Sequence, residues 1–315
     1  MSDTIQPGSK QWDDWIRRSR SDLDESRRQL PVNQARWIPE VEPDEAGIVR
    51  PGLTLFLTNR ECPWRCLMCD LWRETTLKPV PQGAIPQQIR GVLREAPVAE
   101  WIKLYNAGSF FDAGAIPSAD HQEIAGLVKV FPRVTVECHP TLIGPRVLEF
   151  RDRLGGATLE VAMGLESAHP DVLSRLNKRM KVADFRRATG FLREAGVAVR
   201  TFLLLPPPFL PQPESLEWVL RSVRTAFEAG ASVVSLVPTR AQDGVLEQLR
   251  REGQFREPTL EQIELTFEQS LALGLGRVFV DLWDLERFHP GPDLPERRER
   301  LHRMNLSQRW EPRAA

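Results

Sequence analysis

The chain has 315 residues, of which 41% are hydrophobic and 27% are charged, and its net charge at pH 7 is −1. No stretch approaches the ~18 consecutive apolar residues of a membrane span, and the first residues lack the basic and apolar regions of a signal peptide. We therefore expect a cytoplasmic protein with reduced thiols, and the near-neutral charge does not indicate nucleic-acid binding by the molecule as a whole.

Residues 1–50 are polar and are predicted to form an N-terminal helical extension. Tryptophans and aliphatic residues recur at helical spacing over positions 12–30, which predicts a helix there. Its charges are interleaved, so we expect it to pack outside the core with a solvated face. Pro39, Pro43 and Pro51 then indicate an extended connector.

Apolar runs and amphipathic helical patterns alternate over residues 51–290. The runs predicted as strands lie at 53–57, 101–105, 134–138, 159–165, 197–205, 233–237 and 277–282. Helices are predicted at 85–95, 118–131, 183–195, 214–229 and 260–271. This α/β alternation favours a parallel sheet in an open, partial (β/α)6–7 TIM-like barrel, with a doubly wound sheet as the alternative. In either fold, ligands bind at the carboxyl ends of the strands.

Three of the four cysteines lie in one loop after the first predicted strand. Cys62, Cys66 and Cys69 have the spacing C-x3-C-x2-C within TNRECPWRCLMCDLWR. Three thiolates can hold a [4Fe–4S] cluster and leave one iron open to another ligand. The alternatives are a disulfide framework and a structural zinc site completed by Cys138, although Cys138 stands alone, 69 residues further along the chain.

This cysteine spacing resembles the signature of the radical S-adenosylmethionine (SAM) superfamily. The segments YNAGSFFD, VECHP and GLES are similar to its elongator-type tRNA-modifying subgroup, and to the group that includes the radical subunit of archaeosine synthase. The resemblance implies a partial barrel, a [4Fe–4S] cluster on the three cysteines and SAM on the open iron. It also implies that one electron, from a flavodoxin- or ferredoxin-like donor, cleaves SAM to a 5′-deoxyadenosyl radical.

Polar residues that follow the second and third predicted strands are candidates for SAM binding. Asn106, Gly108 and Ser109 resemble the family segment whose backbone holds the SAM amino group. Gly108 permits close backbone approach, while the other two offer hydrogen bonds. Glu137 ends the third strand, where its carboxylate could accept hydrogen bonds from ribose hydroxyls or from the SAM ammonium. Each of these residues could also be an ordinary part of a turn or strand end.

Further SAM contacts are expected at the fourth strand and within the cysteine loop. By the same resemblance, Glu166 and Ser167 occupy a strand end where ribose or methionine contacts fall, and Lys178 could reach a carboxylate, although lysines more often face solvent. Met68 precedes the third cysteine, where many family members have an aromatic residue that stacks on adenine. Its thioether can pack on adenine less rigidly. The sequence assigns no residue to catalysis itself.

Residues 291–315 form an arginine-rich tail that ends near Trp310. Its arginines outnumber its glutamates. The arginines are Arg297, Arg298, Arg300, Arg303, Arg309 and Arg313, and the glutamates are Glu296, Glu299 and Glu311. Such a segment can contact phosphates and stack on a base, or it can simply be a solvated terminal helix. We expect a radical SAM enzyme that modifies a tRNA base. The alternatives are an enzyme acting on a small metabolite and a non-catalytic iron–sulfur protein.

Overall fold

The computed structural model describes residues 5–21, 31–212, 214–241 and 244–313. Eight strands form one sheet whose spatial order is the chain order. They are β1 (Arg36–Pro43), β2 (Val49–Leu57), β3 (Trp101–Asn106), β4 (Arg133–Glu137), β5 (Thr158–Glu166), β6 (Ala198–Leu205), β7 (Val233–Pro238) and β8 (Arg277–Val280). β1 pairs antiparallel with β2, and all later neighbours pair in parallel. Because the parallel strands follow one another without a reversal of order, the sheet is an open, partial TIM-like barrel, as expected, and not a doubly wound sheet.

Most helices of the described residues connect the strands and cover the outer face of the sheet. They are α1 (Lys10–Ser21), α2 (Ala84–Glu95), α3 (His121–Val128), α4 (Pro145–Arg153), α5 (Pro170–Arg175), α6 (Val182–Glu194), α7 (Glu214–Ala229), α8 (Val245–Arg251), α9 (Leu260–Ala272) and α10 (Leu294–Ser307). The main apolar core lies between this layer and the outward side chains of the strands, such as Leu55, Leu104 and Val161. In the part of the chain that the structure describes, no helix combines the length and the apolar character needed to cross a membrane.

All seven predicted strands are present as β2 to β8, but β1 occupies residues that we predicted to be a connector. Its prolines, Pro39 and Pro43, are tolerated because β1 is an edge strand, where a missing backbone N–H need not break a ladder. The five predicted barrel helices are also present, and the one at 118–131 begins with a 3-10 turn. The sequence analysis did not predict α4 or α8.

The inner face of the barrel is charged in its lower half. Arg200 donates to Glu160 at 2.9 Å and to Glu42 at 2.7 Å, and Lys103 pairs with Glu40 at 3.1 Å and with Glu42. Burial raises the pKa of Glu42, but the two cations more than offset this and lower it to about 2. These buried charges are mutually paired. They fill the barrel floor, so a ligand would enter from the mouth.

Helix α10 closes the open side of the barrel next to β8. The side-chain amide of Asn305 accepts from Val280 N and donates to Val280 O, both at 2.9 Å. Gln308 makes the same pair of bonds to the backbone of Val278, at 2.8 and 2.9 Å. The two amides thus take the place of a neighbouring strand at an edge whose backbone groups would otherwise lack partners.

The described part of the N-terminal helix has one buried face. It spans Lys10–Ser21, and the remainder of the predicted 12–30 helix lies outside the described residues. Trp12 and Ile16 are fully buried in a second apolar cluster with α8 and with Leu67 of the cysteine loop. This helix therefore packs outside the main core, with Arg17 and Arg18 on an exposed face, and contributes a second apolar cluster over the barrel mouth.

Candidate functional site at the carboxyl ends of the strands

The cysteine loop, defined here as residues 58–70, leaves the carboxyl end of β2 and carries three thiols. Cys66 is buried, and Cys62 and Cys69 are partly buried. Burial raises the pKa of Cys62 to about 11, and the neighbouring Cys66 adds to this effect. Burial likewise raises the pKa of Cys69 to about 12, with Arg20 opposing and Cys66 and Cys62 adding. All three cysteines thus lie in one loop at this strand end, where Cys69 N also donates to Cys66 O at 3.1 Å.

Cys138 lies apart from this group in the main core. Its thiol donates to the carbonyl of His139 at 3.4 Å and is surrounded by core side chains. Burial raises the pKa of Cys138, a hydrogen bond from Phe111 N opposes this, and the charge of Glu137 adds to it. This placement in the main apolar core does not support the four-cysteine zinc alternative.

The three thiols of the loop are the type of ligand that iron–sulfur clusters use. Across the described residues, no group of three or more His, Cys, Asp or Glu side chains is arranged to hold one metal ion. In an iron–sulfur cube each cysteine binds a different iron, so its thiolates lie further apart than the ligands of one ion. Cys62, Cys66 and Cys69 are the residues that could hold such a cluster.

Residues that follow β4 and α5 hold the loop in place. Leu67 N donates to Leu176 O at 2.8 Å, and the Asn177 amide donates to Trp64 O at 3.2 Å. The Trp64 ring stacks on the ring of His139 at a centroid distance of 4.5 Å. A buried loop needs such partners because its backbone polar groups find few within the loop itself.

Glu137 is a buried carboxyl at the end of β4. It accepts a hydrogen bond from Asn106 N at 2.6 Å. Burial raises its pKa to about 8, although the backbone N–H groups of Asn106 and Gly108 and the charge of Lys178 oppose this. The carboxyl therefore keeps its proton at neutral pH until a positive partner arrives.

Two buried amide side chains lie beside Cys62 with polar atoms unpartnered. Both polar atoms of the Asn106 amide and the Oδ1 atom of Asn59 lack a hydrogen-bond partner within the described residues. A Cβ placed on Gly108 would lie 3.4 Å from Asn106 Nδ2, 3.6 Å from Asn59 Nδ2 and 3.6 Å from Cys62 Cβ. Unsatisfied buried polar groups are costly, so these amides fit a polar ligand next to the thiols.

Glu166 and Lys178 form a buried ion pair at the end of β5. Lys178 Nζ lies 2.8 Å from Glu166 Oε1, and each residue is less than a tenth exposed. Burial lowers the pKa of Lys178, but Glu166 and Cys66 reverse this, so that it is raised overall. The pair crosses Gly164, where a Cβ would lie 2.1 Å from Glu166 Oε1. Lys178 is thus buried beside the thiols and not in solvent.

The other predicted SAM contacts have structural partners. Ser109 Oγ accepts from His139 N at 2.9 Å, and Ser167 Oγ accepts from His169 N at 3.1 Å. Both serines are fully buried, so their hydroxyls shape the strand ends. Met68 is partly buried between the α1 cluster and a small apolar cluster next to β6.

The structure therefore gathers most of the predicted site at the mouth, together with residues that the sequence analysis missed. Asn59 has an unpartnered Oδ1 atom, Asn177 holds the loop, and Arg20 comes from α1. Asn177 lies just after α5 and has a φ of 55°, which Asn tolerates better than most residues. We found no local signal for Arg20 among the many arginines of the first 50 residues.

Comparison with known proteins gives distant but consistent similarities. No family model matches the chain. It is 27% identical over 238 residues to archaeosine synthase subunit beta of Methanosarcina acetivorans, a match that covers 72% of this chain and 68% of the relative. It is 29% identical over 229 residues to the protein of the same name from Thermococcus kodakarensis, covering 67% and 70%.

Solved structures of radical SAM enzymes share the fold. Methylornithine synthase (PylB) superposes with a TM-score of 0.53 at 16% identity, covering 81% of this chain and 69% of that one. An amino-terminally truncated Elp3 from Methanocaldococcus infernus gives a TM-score of 0.51 at 14% identity, covering 72% and 56%. At these identities the likeness shows the fold alone. The expected resemblance to the archaeosine synthase radical subunit and to elongator-type proteins is confirmed as distant homology and a shared fold.

Proposed function

We propose that the protein is a radical SAM enzyme that modifies a base in tRNA. The observation that carries this proposal is the presence of three cysteine thiols in one loop at the carboxyl end of β2, beside the unpartnered Asn106 amide and the unpartnered Oδ1 atom of Asn59. The radical SAM fold and the distant homology to archaeosine synthase subunit beta support it.

Cys62, Cys66 and Cys69 would hold a [4Fe–4S] cluster. When bound, such a cluster with one open iron supplies the electron for reductive cleavage of SAM. The buried walls of the mouth would exclude water from this chemistry. The positive charges of Lys178 and Arg20 lie near Cys66 and would offset the negative charge of the thiolates.

The SAM molecule would lie against the strand ends. Glu137 would give up its proton and pair with the SAM ammonium, because a positive partner favours the charged form of a buried carboxyl. The Asn59 and Asn106 amides would donate to and accept from the polar groups of the ligand. Glu166 would contribute a carboxylate oxygen that its ion pair with Lys178 holds in place.

Anaerobic reconstitution tests the metal site. The wild-type protein should bind about four irons and four sulfides, and Cys62→Ala, Cys66→Ala and Cys69→Ala should each abolish the cluster's spectroscopic signal. Cys138→Ala is the matched control and should keep it. Formation of 5′-deoxyadenosine from SAM under reducing conditions should follow the same pattern. Equal loss in Cys138→Ala would contradict the three-cysteine assignment.

The proposal of a tRNA substrate rests on the distant homology to archaeosine synthase subunit beta and on one exposed pair of side chains. Arg297 and Arg300 of the tail are already paired with an acid, since they contact Glu264 on α9 at 2.7 and 3.3 Å. Arg309 and Trp310 are exposed side by side at the end of α10. An exposed cation beside an aromatic ring suits a phosphate and a stacked base.

Titration of tRNA at rising salt tests this substrate class. Phosphate contact predicts an affinity that falls steeply with salt and falls again in Arg309→Ala and Trp310→Ala. Point variants are preferable to truncation, because α10 also contributes the buried Leu301 and Met304 to the core. If no tRNA pool binds with salt dependence, while a small-molecule extract stimulates 5′-deoxyadenosine formation, the substrate is a metabolite.

A further inference from the structure

Helix α1 presents one buried face to the cysteine loop. Trp12, Ile16 and Arg20 recur every four residues along this face and are 1%, 0% and 6% exposed. The two apolar side chains pack on Leu67 of the loop and on α8. The third position of the face is a charged arginine, which is an unusual residue to bury.

The guanidinium of Arg20 makes its hydrogen bonds with the loop. Its Nη2 atom donates to the carbonyl of Cys66 at 2.6 Å and to that of Cys69 at 3.3 Å. Its Nη1 atom lies 3.3 Å from Glu61 Oε1, and its central carbon lies 5.6 Å from the centroid of the Trp72 ring. One side chain from outside the barrel therefore joins the backbone of two of the three cysteines.

A second set of contacts connects α1 to a segment that also holds the loop. Asp13 accepts from Asn177 Nδ2 at 3.1 Å, and the same amide donates to Trp64 O. Trp12 Nε1 donates to Arg175 O at 3.1 Å. The cysteine loop is thus held both by α1 and by residues 175–177, which contact each other.

We propose that Arg20 is a positioning residue for the three-cysteine site. Its Nη2 group holds the carbonyls of Cys66 and Cys69 together while the Nη1 arm of the same planar fork reaches Glu61, and its charge lies beside the two thiols. A lysine at this position would keep the charge, but its ammonium is a point donor and lacks the rigid fork. The role of the charge rests on the proposed cluster, whereas the holding of the loop can be measured on the metal-free protein.

Thiol alkylation of the metal-free, reduced protein tests the holding role. The rates at Cys66 and Cys69 would be followed separately by mass spectrometry. We expect both Arg20→Lys and Arg20→Met to raise these rates about tenfold, because the loop opens more often when its hydrogen bonds to a charged group are lost. The rate at Cys138 reports on unfolding of the core and should stay unchanged.

Arg17→Lys and Arg17→Met provide the matched controls. Arg17 lies on the same helix, but its side chain is 59% exposed and pairs with Asp14 at 2.7 Å. Its variants should leave all the alkylation rates unchanged. The holding role is overturned if the Arg20 variants match the Arg17 variants, or if the rate at Cys138 rises in step with those at Cys66 and Cys69.

The midpoint potential of the reconstituted protein tests the role of the charge. Loss of a nearby positive charge disfavours the reduced, more negative cluster, so Arg20→Met should lower the potential, while Arg20→Lys should stay close to wild type. A tenfold change in the reduction equilibrium corresponds to a shift of about 59 mV. Equal potentials in both variants and wild type overturn the role of the charge. If the wild-type protein binds no iron, the proposed function fails, and the alkylation result still decides the role of Arg20 in the loop.

Discussion

Replacing Glu137 by Gln should remove a pH dependence from the stability of the metal-free protein. Burial raises the pKa of Glu137 from its ordinary 4.5 to about 8, while hydrogen bonds from Asn106 N and Gly108 N and the charge of Lys178 oppose this only in part. The folded protein therefore keeps a proton that the unfolded chain releases. The amide of the variant can still accept from Asn106 N, but it carries no charge at any pH.

The sign and size of the effect follow from this shift. Below pH 4.5 the carboxyl is neutral in both states, and its contribution to stability is fully present. As the pH rises from there through about 8, the free energy of unfolding falls by about 1.4 kcal/mol per pH unit. The loss is complete above the folded pKa and amounts to at most about 5 kcal/mol.

Urea unfolding at several pH values from about 5 to 8 measures this contribution directly. The variant and the wild type should be similarly stable at the acidic end, and the variant should become the more stable of the two as the pH rises. Glu149→Gln, at an exposed position of α4, controls for the loss of a carboxylate alone. A stability difference that stays constant across this range would refute the buried, protonated Glu137.

Two further predictions concern the packing around the site. Gly164→Ala should destabilise the protein by about 1–3 kcal/mol in urea unfolding, because its methyl group would lie 2.1 Å from Glu166 Oε1. Gly190 lies in the middle of α6, and a methyl group there would meet nothing within 4 Å. Gly190→Ala should therefore stabilise the protein by about 0.5–1 kcal/mol. Equal effects of the two substitutions would argue against the buried ion pair. Asn305→Ala should cost about 1–3 kcal/mol, because both backbone groups of Val280 lose their partner, and an unchanged midpoint of unfolding would show that α10 does not pair with the edge of the sheet.

The seven parallel strands, the five barrel helices and the three-cysteine motif could all be predicted from the sequence. Each of these depends on a pattern within a short stretch, such as a run of apolar residues, a helical repeat or the spacing of Cys62, Cys66 and Cys69. Short-range patterns can be read directly because neighbours along the chain remain neighbours in the fold. The position of Glu137 after a strand likewise indicated the mouth of the barrel.

Which polar side chains have partners can be seen only in the folded structure, because each side chain and its partner are far apart in the sequence. The tail arginine Arg300 gives no sign in the sequence that acids of α9 neutralise it. Asn305 gives no sign that it pairs with an edge strand. In the sequence, Arg20 looks like any solvated helix residue. In the fold it lies against the backbone of Cys66, which is 46 positions further along the chain. Whether a charge is free or buried depends on long-range packing, so the sequence located the candidate site but could not identify the residues that hold it in place.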